Sequence, residues 1–150
     1  MSGLQDQPAP DFELADQDGE TFRLSDQAGQ RLLLVFYPGD GTPVCTRQLC
    51  EYQEGLEAFA GLGVRLVGIS PDDAESHQRF RARHGLDFTL LCDPDLAAAE
   101  RYGCRGWAGM KRGVFLIDEE QVVRYAHVEV VAAFKRSRAE LEAAIRELQS

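Results

Sequence analysis

Four cysteines are the residues of this sequence best suited to nucleophilic or redox chemistry: Cys45, Cys50, Cys92 and Cys104. Zinc sites usually draw cysteine or histidine ligands from pairs about two to four residues apart. The gaps here are five residues (45 to 50) and twelve residues (92 to 104), and the chain has no C-x-x-C motif. The spacing therefore favours a reactive thiolate over a metal centre or a C-x-x-C reductase, and we expect no metal.

Cys45 ends a loop rich in glycine and proline, Tyr37-Pro38-Gly39-Asp40-Gly41-Thr42-Pro43-Val44-Cys45, which enters a helical pattern. The first turn of a helix has N–H groups without intrahelical partners and a positive dipole end, so it favours a thiolate over a thiol. A helix terminus contributes only ~0.3–1 kcal/mol, whereas each pKa unit requires ~1.36 kcal/mol. We therefore expect a cation near Cys45. The alternative, a small buried apolar residue, fits this polar loop poorly.

Three histidines complete the set of titratable candidates. His77 and His84 fall on one polar helical segment, and His127 falls in a strand pattern. The sequence places none of them beside Cys45, so it gives weak support to a cysteine–histidine hydrolase. We expect all three to be ordinary surface or partly buried residues.

The elements that position the loop follow an α/β pattern. Arg31–Tyr37 and Val64–Ser70 are nearly continuous apolar runs typical of strands buried on both faces, and Thr42–Leu62 between them has helical spacing. Alternation on either side of an Asp-Gly turn predicts an N-terminal β-hairpin over residues 11–24. Further predicted elements are a helix over 72–84, a strand over 88–92, a helix over 93–102, a hairpin of 114–118 with 122–128, and a helix from Ser137 with a Ser137/Glu140 capping box. The fold class is α/β, with helices on both faces of a central sheet and the active site beyond the strand ends.

The length and net charge of the chain limit the number of domains and the kinds of partner that we expect. A chain of 150 residues is typical of one domain, here residues 1–150, and its formal net charge of −9 disfavours nucleic-acid binding. The longest apolar run, Leu32–Phe36, is too short to cross a bilayer, and the first residues lack the pattern of a signal peptide. We expect a cytoplasmic protein whose thiols are kept reduced.

The motif around Cys45 resembles that of the peroxiredoxins. Phe36-Tyr37-Pro38 with Thr42 and Cys45 matches their P-x-x-x-T-x-x-C signature. The residues resembling the subfamily called peroxiredoxin Q or bacterioferritin comigratory protein are Asp40, Pro43, Gln48 and Cys50. The likeness continues in order through residues 67–70, 90–94, 102–103 and 112–118, and so covers nearly the whole chain.

The resemblance implies a thioredoxin-like fold, a central mixed β-sheet flanked by helices, and reduction of hydrogen peroxide and organic hydroperoxides without metal, haem or flavin. It also implies a monomer. By position, Cys45 resembles the peroxidatic cysteine, Pro38 the residue that shields it, and Thr42 the hydroxyl that contacts sulfur and peroxide, although Thr42 could simply cap the helix. Arg112 resembles the active-site arginine and would supply the expected cation. The nearby alternatives are Lys111 and Arg105.

Three loop positions depart from the subfamily pattern, which usually has lysine at Gly39, an aromatic at Gly41 and glycine at Val44. Two glycines in place of a cation and a ring predict a more open and mobile loop that tolerates bulky hydroperoxides. The sequence does not identify which peroxide is the preferred substrate.

Cys50 resembles a resolving cysteine. On a regular helix Cys45 and Cys50 lie about 7.5 Å apart along the axis and about 140° apart around it, beyond the roughly 7 Å Cα separation and converging Cβ vectors that a disulfide needs. We expect residues 44–52 to unwind when Cys50 attacks a Cys45 sulfenic acid, with thioredoxin or a similar dithiol protein as reductant. Alternatively, Cys50 is only an apolar-face residue.

The other two cysteines receive different predictions. Cys92 ends a strand and is expected to be a small buried residue. Cys104 precedes a segment resembling an exposed loop, and could be a secondary thiol partner or a plain hydrophobe. The runner-up function for the chain is a redox-sensing interaction protein whose Cys45–Cys50 disulfide switches a partner contact.

Overall fold

The computed structural model describes residues 4–107, 109–129 and 136–149, which form a seven-stranded mixed sheet with helices on both faces. The helices are α1 (Pro43–Glu54), α2 (Leu56–Gly61), α3 (Ala74–His84), α4 (Ala97–Arg101) and α5 (Arg138–Gln149). The strands are β1 (Glu13–Asp16), β2 (Thr21–Arg23), β3 (Arg31–Phe36), β4 (Val64–Ser70), β5 (Thr89–Cys92), β6 (Arg105–Gly106), β7 (Gly109–Met110), β8 (Gly113–Ile117) and β9 (Val123–Val128).

The sheet order is β2-β1-β5-β4-β3-β8-β9. Strands β3, β4 and β5 run parallel, while β8, β9 and the N-terminal hairpin β1–β2 pair antiparallel. A separate two-stranded ribbon joins β6 to β7. This architecture confirms the predicted α/β class, the mixed central sheet and the N-terminal hairpin.

Strand β3 is buried on both faces, as its continuous apolar run predicts. Leu32, Leu34 and Phe36 pack into one core, while Leu33 and Val35 pack into the other. Since alternate side chains of a strand point to opposite faces, this strand joins the two cores through the sheet. Its carboxyl end is therefore held firmly where the candidate loop begins.

The predicted helix over 42–62 is wrong in one respect, because it is broken at Gly55 into α1 and α2. The side chain of Arg138 from α5 lies against Gly55 so closely that a Cβ there would collide with it. Residue spacing along the chain does not reveal this tertiary contact.

Two helix starts show how local polar groups set boundaries. α4 begins at Ala97 rather than at Asp93, and the Asp93 carboxylate accepts from the backbone N–H groups of Ala98 and Ala99 at 3.2 and 2.9 Å. Before α5, the backbone N–H of Ser137 donates to Glu140 at 3.0 Å and that of Glu140 donates to the Ser137 hydroxyl at 3.2 Å. The predicted capping box is confirmed.

Across residues 4–107, 109–129 and 136–149, none of the helices combines the length and the apolar character that a bilayer crossing requires.

Candidate active site

The loop after β3 brings Cys45 to the start of α1. Tyr37 is buried, and its backbone N–H donates to the Ile69 carbonyl of β4 at 3.0 Å. Gly41 has φ +80°, a conformation that disfavours residues with a side chain. Thr42 then forms the N-cap and Pro43 the first residue of α1. Cys45 is consequently the third residue of the helix and lies in its first turn, as predicted.

Cys45 is fully buried and lies next to a cation. The guanidinium Nη1 of Arg112 donates to the Cys45 Sγ at 3.0 Å. Arg112 is itself 3% exposed and immediately precedes β8, the strand paired with β3. The expected cation is therefore present, and the two sequence alternatives lie elsewhere: Lys111 is exposed, and Arg105 forms an ion pair with Glu100 at 3.5 Å on the surface.

A buried hydrogen-bond chain holds the arginine in place. Arg112 Nη1 also donates to Gln48 Oε1 at 2.7 Å, and Gln48 Nε2 donates to the Tyr52 hydroxyl at 3.1 Å. The Tyr52 hydroxyl in turn donates to the backbone carbonyl of Arg136, just before α5. Helical spacing indicates only that Tyr52 faces a core, so the sequence does not reveal this connection.

Burial disfavours the charged form of an ionisable side chain unless a partner of opposite charge compensates. Burial raises the pKa of Tyr52 well above its usual range, and the Arg112 charge and the Gln48 hydrogen bond counter it only in part. Tyr52 therefore serves as a neutral hydrogen-bond donor. The cationic Arg112 and the start of α1 are the groups of this site suited to a sulfur anion.

Thr42 and Pro38 belong to the loop that leads from β3 into α1. The Thr42 hydroxyl donates to the Gly39 carbonyl at 3.2 Å, and within the described chain its side chain makes no capping hydrogen bond to α1. The residue is exposed, whereas Pro38 is half-buried. The hydroxyl is thus accessible to a ligand, and a role as a side-chain helix cap is not what the geometry shows.

Cys50 lies on the same regular helix, as a free and half-buried thiol. Burial and the nearby Glu54 carboxylate raise its pKa. Cys45 faces the core while Cys50 lies toward the surface, as a five-residue offset on a helix predicts. The structure therefore holds the two thiols apart while α1 is folded.

Cys92 and Cys104 lie outside this cluster. Cys92 is buried, as predicted, and burial together with neighbouring carboxylates raises its pKa to about 11. Cys104 is fully buried, and burial raises its pKa to about 12. The predicted exposed loop after Cys104 forms instead the β6–β7 ribbon, with Trp107 fully exposed near its turn.

A second polar cluster adjoins the loop. His77 is fully buried, so the prediction of an ordinary surface or partly buried residue is wrong for it. Its Nδ1 lies 2.7 Å from Asp40 Oδ2, and its Nε2 lies 2.9 Å from the Leu91 carbonyl. His77, Asp40 and Asp72 place possible metal-ligand atoms within 4.8 Å of one another. Each of these three side chains already hydrogen-bonds to protein groups, which identifies a hydrogen-bond network.

Comparison with known proteins agrees with this geometry. Residues 6–126 match the AhpC/TSA family. The chain is 40% identical over 122 residues to peroxiredoxin Bcp of Bacillus subtilis, covering 76% of this chain and 78% of the relative. It is 38% identical over 121 residues to the chloroplastic peroxiredoxin Q of Arabidopsis thaliana, covering 79% of this chain and 56% of that longer relative.

Solved structures show the same fold. The crystal structure of peroxidoxin BcpB from Mycobacterium tuberculosis matches with a TM-score of 0.84 and 30% identity, covering 97% of this chain and 96% of that one. The bacterioferritin comigratory protein of Xanthomonas campestris matches with a TM-score of 0.83 and 27% identity, covering 93% and 92%. These matches confirm the expected thioredoxin-like fold, and the chain belongs to the AhpC/TSA family, with the Bcp and Q peroxiredoxins among its relatives.

Proposed function

We propose that this protein is a thiol peroxidase that reduces hydrogen peroxide and organic hydroperoxides through Cys45. The observation that carries the proposal is the Arg112 guanidinium 3.0 Å from a sulfur at the start of α1. Both groups stabilise negative charge on sulfur, and a thiolate is the form that attacks peroxide. Membership of the AhpC/TSA family supports the same conclusion.

In the first step the Cys45 thiolate attacks one peroxide oxygen. An S–O bond forms, the O–O bond breaks, and the second oxygen leaves as water or an alcohol after taking a proton, so that sulfur becomes a sulfenic acid. The Thr42 hydroxyl, which is exposed beside the sulfur's helix turn, orients the peroxide, and Pro38 limits access of water. Arg112 stabilises the charge on sulfur and on the departing oxygen.

In the second step Cys50 attacks the sulfenic acid sulfur of Cys45. An S–S bond forms, the S–O bond breaks, and the oxygen leaves as water. Because the folded α1 separates the thiols, the helix must unwind around residues 44–52 before this bond can form. Unwinding also exposes Cys50, which lowers the desolvation that disfavours its thiolate.

A dithiol protein of the thioredoxin type then reduces the disulfide by exchange, and the chain works as a cytoplasmic monomer. The bacterioferritin comigratory protein of Xanthomonas campestris is described with alkyl peroxide reduction activity. Here Gly39 and Gly41 carry no side chains in the loop before Cys45, which supports acceptance of alkyl hydroperoxides as well as hydrogen peroxide.

The test is NADPH consumption through a thioredoxin system, with hydrogen peroxide and a size series of alkyl hydroperoxides. We expect kcat/KM of at least about 10⁴ M⁻¹s⁻¹ for the wild type, no turnover for Cys45→Ser, and strongly reduced turnover for Cys50→Ser. Cys92→Ser serves as the matched control that retains turnover. Undiminished turnover in Cys45→Ser would refute the proposal.

A further inference from the structure

The loop that carries Thr42 is tied to α3 through one residue, Asp40. Its Oδ1 accepts from the Tyr37 hydroxyl at 2.6 Å, and its Oδ2 accepts from the Ser76 hydroxyl at 2.8 Å and lies 2.7 Å from His77 Nδ1. Its backbone N–H donates to Asp72 Oδ2 at 2.7 Å. The side chain of Asp40 is thus held by Ser76 and His77 outside the loop as well as by Tyr37 within it, and its backbone is held by Asp72.

Each ring nitrogen of His77 lies within hydrogen-bond distance of an oxygen atom. The Leu91 carbonyl can only accept, so Nε2 must donate to it. Burial opposes ionisation of Asp40, but the hydrogen bonds from His77 and Tyr37 outweigh it, so the pKa of Asp40 is lowered. An ionised carboxylate can only accept, and therefore Nδ1 donates as well. His77 therefore links the loop to β5 through its two ring nitrogens.

The residues on either side of Asp40 cannot hold the loop by themselves. Gly39 and Gly41 carry no side chains, and Gly41 adopts φ +80°. Glycine has more conformational freedom than any other residue, so the loop needs an external anchor to keep one shape. The Thr42 hydroxyl depends on that shape, because it donates to the Gly39 carbonyl.

We propose that His77 is a positioning residue for peroxide reduction: by donating to Asp40 it fixes the loop that presents the Thr42 hydroxyl beside Cys45. This inference rests on the proposed function. His77 lies in α3 and would act at a distance from the reacting sulfur. Within the described residues its hydrogen-bond partners are Asp40 and the Leu91 carbonyl, and not Cys45 or Arg112. Misplacing a positioned group by about 1 Å can cost on the order of 10²-fold in rate.

Two substitutions separate the two hydrogen bonds of the ring. Asparagine places an amide N–H near the position of Nδ1, so His77→Asn keeps the donor to Asp40 and loses the one to Leu91. Glutamine places its amide near the position of Nε2, so His77→Gln keeps the donor to Leu91 and loses the one to Asp40. If His77 served only to fill space in the core, His77→Asn would not retain more activity than His77→Gln. His84→Gln, on the same helix with its ring packed against Phe80, is the matched control.

The first readout is the second-order rate constant of each reduced protein with hydrogen peroxide, beside its rate of alkylation by iodoacetamide. We expect His77→Gln to lose about 10- to 100-fold in the peroxide reaction, and His77→Asn and His84→Gln to stay within about threefold of wild type. Alkylation at Cys45 should change less than about threefold in all variants, because Arg112 and α1 are untouched. Equal losses in His77→Asn and His77→Gln, or none in either, would overturn the proposal.

The second readout, hydrogen–deuterium exchange of the peptide spanning residues 38–44, does not depend on peroxide. His77→Gln and Asp40→Asn should raise its exchange by about tenfold, whereas His77→Asn should leave it near the wild-type rate. Unchanged exchange in His77→Gln and Asp40→Asn refutes the anchor. A wild type that fails to react with peroxide would refute the proposed function instead, and the exchange data would still decide whether His77 anchors the loop.

Discussion

Two fully buried cysteines of this molecule have opposite surroundings. Cys45 receives a hydrogen bond from the Arg112 guanidinium at 3.0 Å at the start of α1. The Cys104 Sγ lies 3.9 Å from the Tyr102 carbonyl, and burial raises the Cys104 pKa to about 12 although Lys111 counteracts it in part. Burial alone disfavours the thiolate, and we propose that a cation in contact together with a helix start makes the equally buried Cys45 sulfur the nucleophile.

Removing each sulfur in turn gives the largest expected contrast. Cys45→Ser should lower the rate of peroxide reduction by at least about 10³-fold, because the nucleophile is lost. Cys104→Ala should stay within about twofold of wild type and lose only stability, about 1–2 kcal/mol from the cavity. Stopped-flow peroxide consumption and thermal melts measure both effects. A large rate loss in Cys104→Ala at unchanged stability would contradict the contrast.

Cys50 differs from both buried cysteines, since it is half-buried and, in the proposed cycle, acts after the first step. Cys50→Ser should react with the first equivalent of peroxide within about twofold of the wild-type rate, but its turnover with thioredoxin should fall by about 10²-fold because the intramolecular partner is gone. Single-turnover and steady-state assays on the same preparation separate the two steps. Equal losses in both steps would place Cys50 in the peroxide-binding site itself.

Replacing Arg112 tests whether this cation is what distinguishes Cys45 from Cys104. Arg112→Lys keeps the charge but loses the planar guanidinium whose Nη1 donates to both Cys45 and Gln48, so we expect the peroxide rate to fall about 10- to 100-fold. Arg105→Lys is the matched control, because Arg105 pairs with Glu100 at the surface. If both variants react at the wild-type rate, the cation is not what distinguishes Cys45 from Cys104.

The last prediction concerns stability at alkaline pH and leaves the peroxide reaction aside. The folded-state pKa of Cys104 is about 12 against 9.0 for a free thiol, so between these values the unfolded chain has lost a proton that the folded chain retains. The free energy of unfolding therefore falls as pH rises, by roughly 1.4 kcal/mol per unit from this group above pH 9. Denaturant titrations of wild type and Cys104→Ala between pH 8 and about 11 should show the shallower slope in the variant. Equal slopes of unfolding free energy against pH in the two proteins would contradict this prediction.

Much of this site could be predicted from residue spacing. The apolar run of Arg31–Tyr37 predicts a doubly buried strand, and the loop composition places Cys45 in the first helical turn. The need for a cation follows from a comparison of energies, because a helix end alone stabilises a thiolate by less than one pKa unit requires. The identity of that cation as Arg112 came from family resemblance, since a buried arginine 67 residues away leaves no local signal.

Other features depend on contacts that a single sequence does not contain. His77 falls on a polar helical segment, yet β5 and the Asp40 loop bury it completely. At the break between α1 and α2, Gly55 lies against the Arg138 side chain of a helix more than 80 residues later. The hydrogen bond from Tyr52 to the Arg136 carbonyl is equally remote. Local patterns report periodicity and propensity, while these features depend on tertiary packing.

The central claim is that the Cys45 sulfur takes the oxygen from peroxide and then bonds to Cys50. Reduced protein should be treated with one equivalent of hydrogen peroxide, quenched by acid, blocked at its free thiols, digested and mapped by mass spectrometry. The account predicts a linked peptide pair containing Cys45 and Cys50, with Cys92 and Cys104 recovered as blocked thiols. Oxidation found at Cys92 or Cys104 while Cys45 is recovered as a blocked thiol would contradict it.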